Sequence, residues 1–284
     1  MHIVEVGPRD GLQNEKAIIP TEDKVALINS LNNIGVQEIE VSAFVSAKRI
    51  PQLHDAEEVF NRIARKEGVI YSALVPNVQG LERAMAVQVD KLSLFTAASE
   101  TFNQKNIHTS IEGSLQRFKD VLSRTSELPC KIRGYISTSF HCPFEGKISA
   151  QAVKDLSVEL LAMGVDECAI SDTIGKASRD DVKEVFDVLC KDIDPQCLAV
   201  HFHDTYGNAS ENIKEAYDYG IRTFDGSIAG LGGCPYAPGA PGNVSTRHVF
   251  AALGTKHSKL ALDSEALSAA EQLTHSLLNK AGPS

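Results

Sequence analysis

Short runs in which apolar and polar residues alternate recur eight times along the chain, and stretches with helical periodicity separate them. Each run alternates with a period of two and is rich in β-branched residues, which predicts a β-strand. The eight runs are HIVEVG (2–7), VQEIEVSAF (36–44), VIYSALV (69–75), KLSLFTA (91–97), KIRGYISTSF (131–140), ECAISDT (167–173), CLAVHFHD (197–204) and TFDGSIAG (223–230).

The stretches between the runs carry helix signals. In PTEDKVALINSLNNIG, Pro20 and Thr21 predict the start of a helix and Gly35 predicts its end. An apolar stripe from Val25 to Ile34 lies on one face of this helix. Two later stretches repeat the pattern with a serine at the predicted cap, residues 149–164 and 178–190.

Eight β-then-α units in a chain of 284 residues predict an α/β fold of the (β/α)₈ type, a TIM barrel, formed by one domain over residues 1–284. A doubly wound open sheet is the alternative, but its GxGxxG motif is missing after the first run. Residues 262–282 predict an additional C-terminal helix outside the repeat.

The two faces of the predicted strands differ in polarity. In the seventh run, Leu198, Val200 and Phe202 oppose His201 and His203. Three further runs divide similarly: Ile39, Val41 and Ala43 oppose Glu38, Glu40 and Ser42; Ile132 and Ile136 oppose Arg133, Tyr135 and Ser137; and Thr223, Asp225 and Ser227 form the polar set of the last run. Because the outer face must pack on helices, the polar face points to the barrel axis. Such an interior is either a paired polar network or an active site, and charge near the strand ends favours the active site.

Composition and charge limit which kinds of binding partner we expect. The formal charge is −9 and the basic residues are scattered, which argues against nucleic acid and favours a small substrate. No apolar run approaches the roughly 20 residues of a membrane helix, and the chain enters its first strand directly, so we expect a cytoplasmic protein without a membrane partner. Six cysteines without CxxC spacing indicate reduced thiols.

Two histidines on one strand face offer a metal site. The side chains of His201 and His203 stand about 7 Å apart, close enough for one cation to bridge, although hydrogen-bonded core histidines also fit the pattern. Asp204 could orient a ring or cap the next helix. At the end of the first strand, Asp10 offers an anionic ligand and Arg9 a cation for a developing oxyanion, or the pair forms a solvated turn.

Four further polar residues are candidates. Glu40 lies on the inward face of the second strand, where we expect it to hold Arg9. Asp172 ends the sixth strand and either supports the site or starts the following helical segment. Gln13 and Lys16 follow the first strand and are candidate substrate contacts, although a loop lysine is commonly only solvated.

The segment GLGGCPYAPGAPGN, residues 230–243, follows the eighth strand. Cys234 lies between two glycines and a proline, unlike the other five cysteines, which we interpret as small apolar residues. A glycine-hinged loop over the strand ends can act as a lid and supply a thiol as acid or base. A phosphate cradle is the alternative interpretation.

Five motifs in order, VEVGPRDGLQNEK, EIEVSAFVSAKRIPQ, SDTIGKA, VHFHDTYGNA and GLGGCPYAPGAPGN, resemble those of the 3-hydroxy-3-methylglutaryl-CoA lyase family. This family lies in a superfamily of metal-dependent barrels that also contains 2-isopropylmalate and homocitrate synthases. The resemblance extends from the first strand through the loop after the eighth. The motif GGCPYA points to the lyase branch.

The resemblance implies an acyl-CoA thioester substrate, a homodimer, and Mg²⁺ or Mn²⁺ as cofactor. The implied metal ligands are Asp10, His201, His203 and Asn243. It also implies that Arg9 stabilises the enolate of the leaving acetyl-CoA, that Cys234 protonates the carbanion, and that Glu40 and Asp172 support the site. His201 is the family's candidate for the base that takes the hydroxyl proton.

The chain departs from the family pattern at two places. Many of these lyases have Thr-Ser-Phe after the glutamate, where this chain has Val41-Ser42-Ala43-Phe44. The acid expected four places after Asn243 appears as Arg247. These departures leave open a related thioester, 3-hydroxy-3-methylglutaryl-like or citramalyl-like, as substrate. A Claisen-type synthase and a catalytically inactive binding scaffold are the alternatives to the lyase.

Overall fold

Eight parallel strands form a closed barrel, as the alternating pattern predicts. The computed structural model describes residues 1–125, 130–232, 242–254 and 262–281. The strands are β1 His2–Glu5, β2 Glu38–Ala43, β3 Ile70–Leu74, β4 Lys91–Ala97, β5 Lys131–Ser137, β6 Glu167–Asp172, β7 Leu198–Phe202 and β8 Thr223–Gly226. Each strand pairs with its neighbours in chain order, and β8 closes the barrel on β1.

Helices cover the outside of the barrel. They are α1 Thr21–Leu31, α2 Ala56–Arg62, α3 Val78–Ala86, α4 Glu100–Ile107, α5 Ile111–Thr125, α6 Ala150–Ala162, α7 Arg179–Leu189, α8 Ala209–Asp218, α9 Thr246–Gly254 and α10 Ser264–Ala281. The last of these is the predicted additional C-terminal helix. A short hairpin, His141–Cys142 with Gly146–Lys147, follows β5.

The helix signals are confirmed with adjustments at the ends. Helix α1 begins at Thr21 but ends at Leu31, and Gly35 closes the turn that follows with a φ of 99°. Ser178 forms a capping box with Asp181 at the start of α7, whereas Ser149 precedes α6 without a capping bond from its side chain.

The main core lies between strands and helices. The outward residues of β7, Leu198, Val200 and Phe202, belong to it. The prediction that Ala43 shares the outward face of β2 is wrong, because the pairing of β2 with β3 shifts register between Glu40 and Ser42. Ala43 therefore lines the cavity at the carboxyl end of the barrel, in a small separate apolar cluster.

Among the described cysteines each of the five is free, as predicted, and Cys234 lies outside the described residues. Within the described parts of the chain, none of the helices combines the length and apolar character needed to cross a bilayer.

Candidate active site

A cavity of about 840 Å³ opens at the carboxyl ends of the barrel strands. Its wall includes Arg9, Asp10, Tyr135, His201 and His203, which come from the ends of β1, β5 and β7. Barrel enzymes work at this end because the loops that follow the strands converge there. The structure therefore brings the predicted polar residues to one place.

A single π-helical turn, Gly7–Gly11, carries Arg9 and Asp10 into the cavity. The backbone amides of both residues donate to the carbonyl oxygen of Val6, so the chain bends sharply where β1 ends. A Cβ atom on Gly7 would lie 2.8 Å from Oε1 of Glu5, so a side chain at this position would force the turn to move. The turn thus depends on glycine.

Arg9 is held by two carboxylates. Its Nε donates to Glu40 at 2.6 Å, as the sequence predicts, and its Nη1 donates to Asp10 at 2.7 Å. Burial disfavours the charge of the guanidinium, but Glu40 and Asp10 outweigh burial and raise the pKa of Arg9 above its usual range. Arg9 is therefore a fixed, permanent cation in the cavity wall.

Asp10, His201 and His203 form a cluster that could hold a metal ion. Each offers one ligand atom, and these atoms lie within 4.8 Å of one another. Burial opposes the charge of Asp10, but Arg9 and the two imidazoles lower its pKa to about 2. Burial lowers the pKa of His203 to about 3. Asp10 is thus anionic and His203 neutral at physiological pH, the forms in which they bind metals.

Two further observations fit a divalent cation. Nδ1 of His203 is buried and has no hydrogen-bonding partner among the described residues, so a lone pair or proton there is unsatisfied. The connected charges of the barrel interior comprise three cationic side chains and five carboxylates: Arg9, Lys91 and Arg133, and Asp10, Glu38, Glu40, Glu167 and Asp225. A divalent cation would balance the excess of two negative charges.

Asn243 and Gln13 fix the orientation of Asp10. Nδ2 of Asn243 donates to Oδ2 of Asp10 at 2.8 Å, and Nε2 of Gln13 donates to Oδ1 at 2.7 Å. The backbone amide of Asn243 donates to the carbonyl oxygen of Gly232 at 3.1 Å. The residues that flank segment 233–241 therefore meet beside the metal cluster.

Two of the described site residues, Lys16 and Asp172, stand apart from this cluster. Lys16 is exposed. The carboxylate of Asp172 accepts bonds from the backbone amides of Lys176 and Ala177, so it shapes the loop after β6, and burial raises its pKa to about 7. Cys234 lies in segment 233–241, outside the described residues.

Arg133, Tyr135 and Asp225 lie on the polar strand faces that alternation predicts, but the sequence assigned them no role. Nδ1 of His201 lies 3.1 Å from Oδ2 of Asp225, and Nη2 of Arg133 donates to Oδ1 of Asp225 at 2.7 Å. The hydroxyl of Tyr135 lies within hydrogen-bonding distance of Asp225, at 3.4 Å. The position of these three residues on the inward face of their strands was the signal in the sequence that could have indicated their role.

Arg247 replaces the acid expected in the family, and it reaches the C-terminal helix. Its Nε and Nη2 donate to the two carboxylate oxygens of Glu271 at 2.9 and 2.6 Å, and Nη2 also donates to Ser268. Helix α9, which follows Asn243, is thereby tied to α10.

The family follows from comparison with known proteins. Residues 1–274 match the HMGL-like family. The chain belongs to this family. It is 47% identical over 248 residues to the mouse protein named 3-hydroxy-3-methylglutaryl-CoA lyase, cytoplasmic, covering 87% of this chain and 72% of the relative. It is 42% identical over 284 residues to a Pseudomonas aeruginosa relative named 3-hydroxy-3-isohexenylglutaryl-CoA/hydroxy-methylglutaryl-CoA lyase, covering 100% of this chain and 95% of the relative.

Solved structures of the family share the barrel. The Brucella melitensis HMG-CoA lyase superposes with a TM-score of 0.95 at 42% identity and covers 98% of both chains. An Acinetobacter baumannii HMG-CoA lyase in complex with coenzyme A and 3-methylmalate has a TM-score of 0.92 at 37% identity, with 98% of this chain and 91% of that chain covered. The resemblance seen in the five motifs is confirmed, and the chain is a carbon–carbon lyase. The synthase alternative is not favoured.

Proposed function

We propose that this chain cleaves 3-hydroxy-3-methylglutaryl-CoA to acetyl-CoA and acetoacetate with a divalent cation, Mg²⁺ or Mn²⁺. The observation that carries the proposal is the cluster of Asp10, His201 and His203 beside Arg9, in the cavity at the carboxyl end of the barrel. The chain is 42–47% identical to lyases named for this substrate. The CoA thioester would enter through the open carboxyl end of the barrel.

Asp10, His201, His203 and Asn243 would hold the cation. When bound, a divalent cation supplies a Lewis acid that makes the 3-hydroxyl of the substrate easier to deprotonate. Carboxylate and amide oxygens suit both Mg²⁺ and Mn²⁺, whereas two imidazoles favour Mn²⁺. Both ions are therefore used in the assay below.

His201 is the proposed base for the hydroxyl proton. Its Nδ1 faces Asp225, so Nε2 is the atom through which the ring can act in the cavity. Nε2 lies 3.8 Å from Oδ2 of Asp10, within the metal cluster. One nitrogen cannot ligate a cation and accept a proton at the same time, so the two proposed roles of His201 exclude each other at any one moment.

Arg9 is proposed to stabilise the enolate that forms when the carbon–carbon bond breaks. Glu40 and Asp10 engage Nε and Nη1, which leaves the Nη2 amino group for the thioester oxygen. A donor placed where negative charge develops contributes roughly 10²- to 10³-fold to the rate. Glu40 supports the site by holding this geometry.

Cys234 is proposed to protonate the carbanion of acetyl-CoA. Support comes from the ends of its segment, because Gly232 and Asn243 are hydrogen-bonded to each other beside Asp10. Gln13 is proposed to orient Asp10, with which it forms a hydrogen bond. Asp172 is proposed to support the site by shaping the loop after β6. A substrate contact for Lys16 stays a prediction from its sequence position.

We further propose a homodimer in the cytoplasm. The mouse relative carries the word cytoplasmic in its name, whereas the chicken relative is named mitochondrial. Size-exclusion chromatography with light scattering should give a mass of about twice the chain mass of 30.7 kDa for a dimer.

The test is an assay of the purified chain with 3-hydroxy-3-methylglutaryl-CoA and either Mg²⁺ or Mn²⁺. We expect acetyl-CoA and acetoacetate in equal amounts, and no product after treatment with EDTA until metal is restored. Absence of acetoacetate, together with condensation of acetyl-CoA and a 2-oxo acid, would reject the proposal.

A further inference from the structure

The two histidines of the cluster differ in the hydrogen-bonding partner of Nδ1. Nδ1 of His201 lies 3.1 Å from Oδ2 of Asp225, whereas Nδ1 of His203 has no hydrogen-bonding partner among the described residues. Because the ionised carboxylate of Asp225 can only accept a hydrogen bond, Nδ1 of His201 carries a proton. Nε2 of His201 is then the nitrogen with the lone pair, and it faces Asp10.

Asp225 is itself held in place by Arg133. Nη2 of Arg133 donates to its Oδ1 at 2.7 Å, which leaves Oδ2 for His201. Both side chains are buried. The guanidinium of Arg133 is a permanent cation, so its ion pair with Asp225 favours the ionised carboxylate. The acceptor behind His201 is therefore charged and fixed.

Tyr135 connects this pair to the Arg9 pair. Its hydroxyl lies 3.2 Å from Oε2 of Glu40 and 3.4 Å from Oδ2 of Asp225. Two guanidinium groups lie over its ring, with Cζ of Arg9 5.2 Å and Cζ of Arg133 4.7 Å from the ring centroid. The carboxylate that holds Arg9 and the carboxylate that orients His201 therefore contact the same phenol.

We propose that Asp225 is a positioning residue that fixes His201 in the Nδ1–H tautomer and turns its Nε2 into the cavity, with Arg133 and Tyr135 holding Asp225 in place. Asp225 touches neither substrate nor cation and acts through His201. Its effect on turnover rests on the proposed function, whereas its effect on the tautomer does not.

The decisive measurement is the nitrogen NMR spectrum of the histidine rings in the metal-free protein. We expect His201 of the wild type to show a protonated Nδ1 and an unprotonated Nε2. In Asp225→Asn, the amide can donate as well as accept, so His201 should populate both tautomers. With metal restored, kcat should fall about 10- to 100-fold, with KM within about twofold.

Glu38→Gln is the matched control. Glu38 is a buried carboxylate of the same barrel interior, bonded to His2 and Lys91, so the variant also removes one interior negative charge. We expect it to leave the His201 tautomer unchanged, because Glu38 does not contact His201. An equal change of the tautomer in both variants would assign the effect to interior charge and overturn the proposal.

Three other results would also decide for or against the role of Asp225. A protonated Nε2 on His201 in the wild type would overturn the proposal without any variant, and this measurement remains available if Asp225→Asn does not fold. An unaltered tautomer and kcat in a folded Asp225→Asn would also overturn it. A wild type that shows the expected tautomer but yields no acetoacetate would support the role of Asp225 and reject the proposed function.

Discussion

The two carboxylate oxygens of Asp10 have different partners. Oδ1 accepts from Nη1 of Arg9 and from Nε2 of Gln13, while Oδ2 accepts from Asn243 and faces Nε2 of His201. One oxygen thus fixes the side chain, and the other belongs to the proposed metal cluster. Substitution of Asp10 would disturb Arg9, the residue proposed to stabilise the enolate, and the proposed ligand set together.

The variant His203→Ala tests whether the proposed cluster binds the metal. We expect the variant to lose stoichiometric metal, because it removes a neutral imidazole from a three-residue cluster. Elemental analysis after dialysis against Mn²⁺ measures this directly. Retained stoichiometric metal would show that the proposed ligand set is wrong.

Cys234→Ala probes the proposed proton donor. We expect kcat to fall by about 10²- to 10⁴-fold, the usual contribution of general acid–base catalysis, while metal content stays at the wild-type level. Steady-state assays combined with elemental analysis provide both values. Near-normal turnover would exclude the thiol as the proton donor.

At the scale of elements, Glu5 joins three segments that carry site residues. Its Oε1 accepts from the backbone amides of Gly7 and Ile228 at 2.8 Å each, and Oε2 accepts from the hydroxyl of Thr246. The π-helical turn with Asp10, the segment that precedes Cys234, and the helix that follows Asn243 therefore share one buried carboxyl group. Their relative positions depend on it.

Glu5 also predicts a pH dependence. Burial raises its pKa from the usual 4.5 to about 7, more than its hydrogen bonds lower it. As pH rises from 4.5 to 7, the unfolded chain releases this proton while the folded chain retains it, so the contribution to stability falls by on the order of 3 kcal/mol. Glu5→Gln should lack this decrease.

Melting temperatures of metal-free wild type and Glu5→Gln at pH 5 and pH 7.5 test this. We expect the wild type to lose more stability than the variant between the two values. Asp172, whose pKa burial also raises to about 7, remains in both proteins and contributes equally. Identical pH dependence in the two proteins would contradict the assignment to Glu5.

The elements themselves were predictable because alternation is a local signal. All eight strands and the C-terminal helix lie where the pattern places them. The register shift in β2 was not predictable, because Val41, Ser42 and Ala43 continue the alternation in the sequence while the pairing with β3 skips a residue. A bulge depends on the neighbouring strand and leaves no mark in its own sequence.

At the scale of the whole molecule, the interior carries an excess of two negative charges in the connected network. A divalent cation should therefore raise the melting temperature, by an amount equivalent to about 2.7 kcal/mol when its concentration is 100 times Kd. Calorimetry with and without Mn²⁺ measures the shift. His203→Ala should show none, and an equal shift in that variant would place the bound ion elsewhere.

The predictable part of the site is likewise the part carried by local motifs. Arg9, Asp10, His201 and His203 stand at strand ends, so the barrel prediction alone brings them together. Asp225 is 24 residues from His201 and meets it because β7 and β8 are neighbours in a closed barrel. Which ring nitrogen each partner engages depends on side-chain geometry that alternation does not encode.

The hydrogen bond between Asn243 and Gly232 has a consequence for engineering this chain. The two described flanks of segment 233–241 meet at one point, so any chain that replaces this segment has to connect two positions that are already close together. Doubling the length of a flexible loop costs only about 0.6 kcal/mol in closure entropy. Grafting the corresponding segment of a relative between Gly232 and Gly242 should therefore leave the register of the barrel strands unchanged.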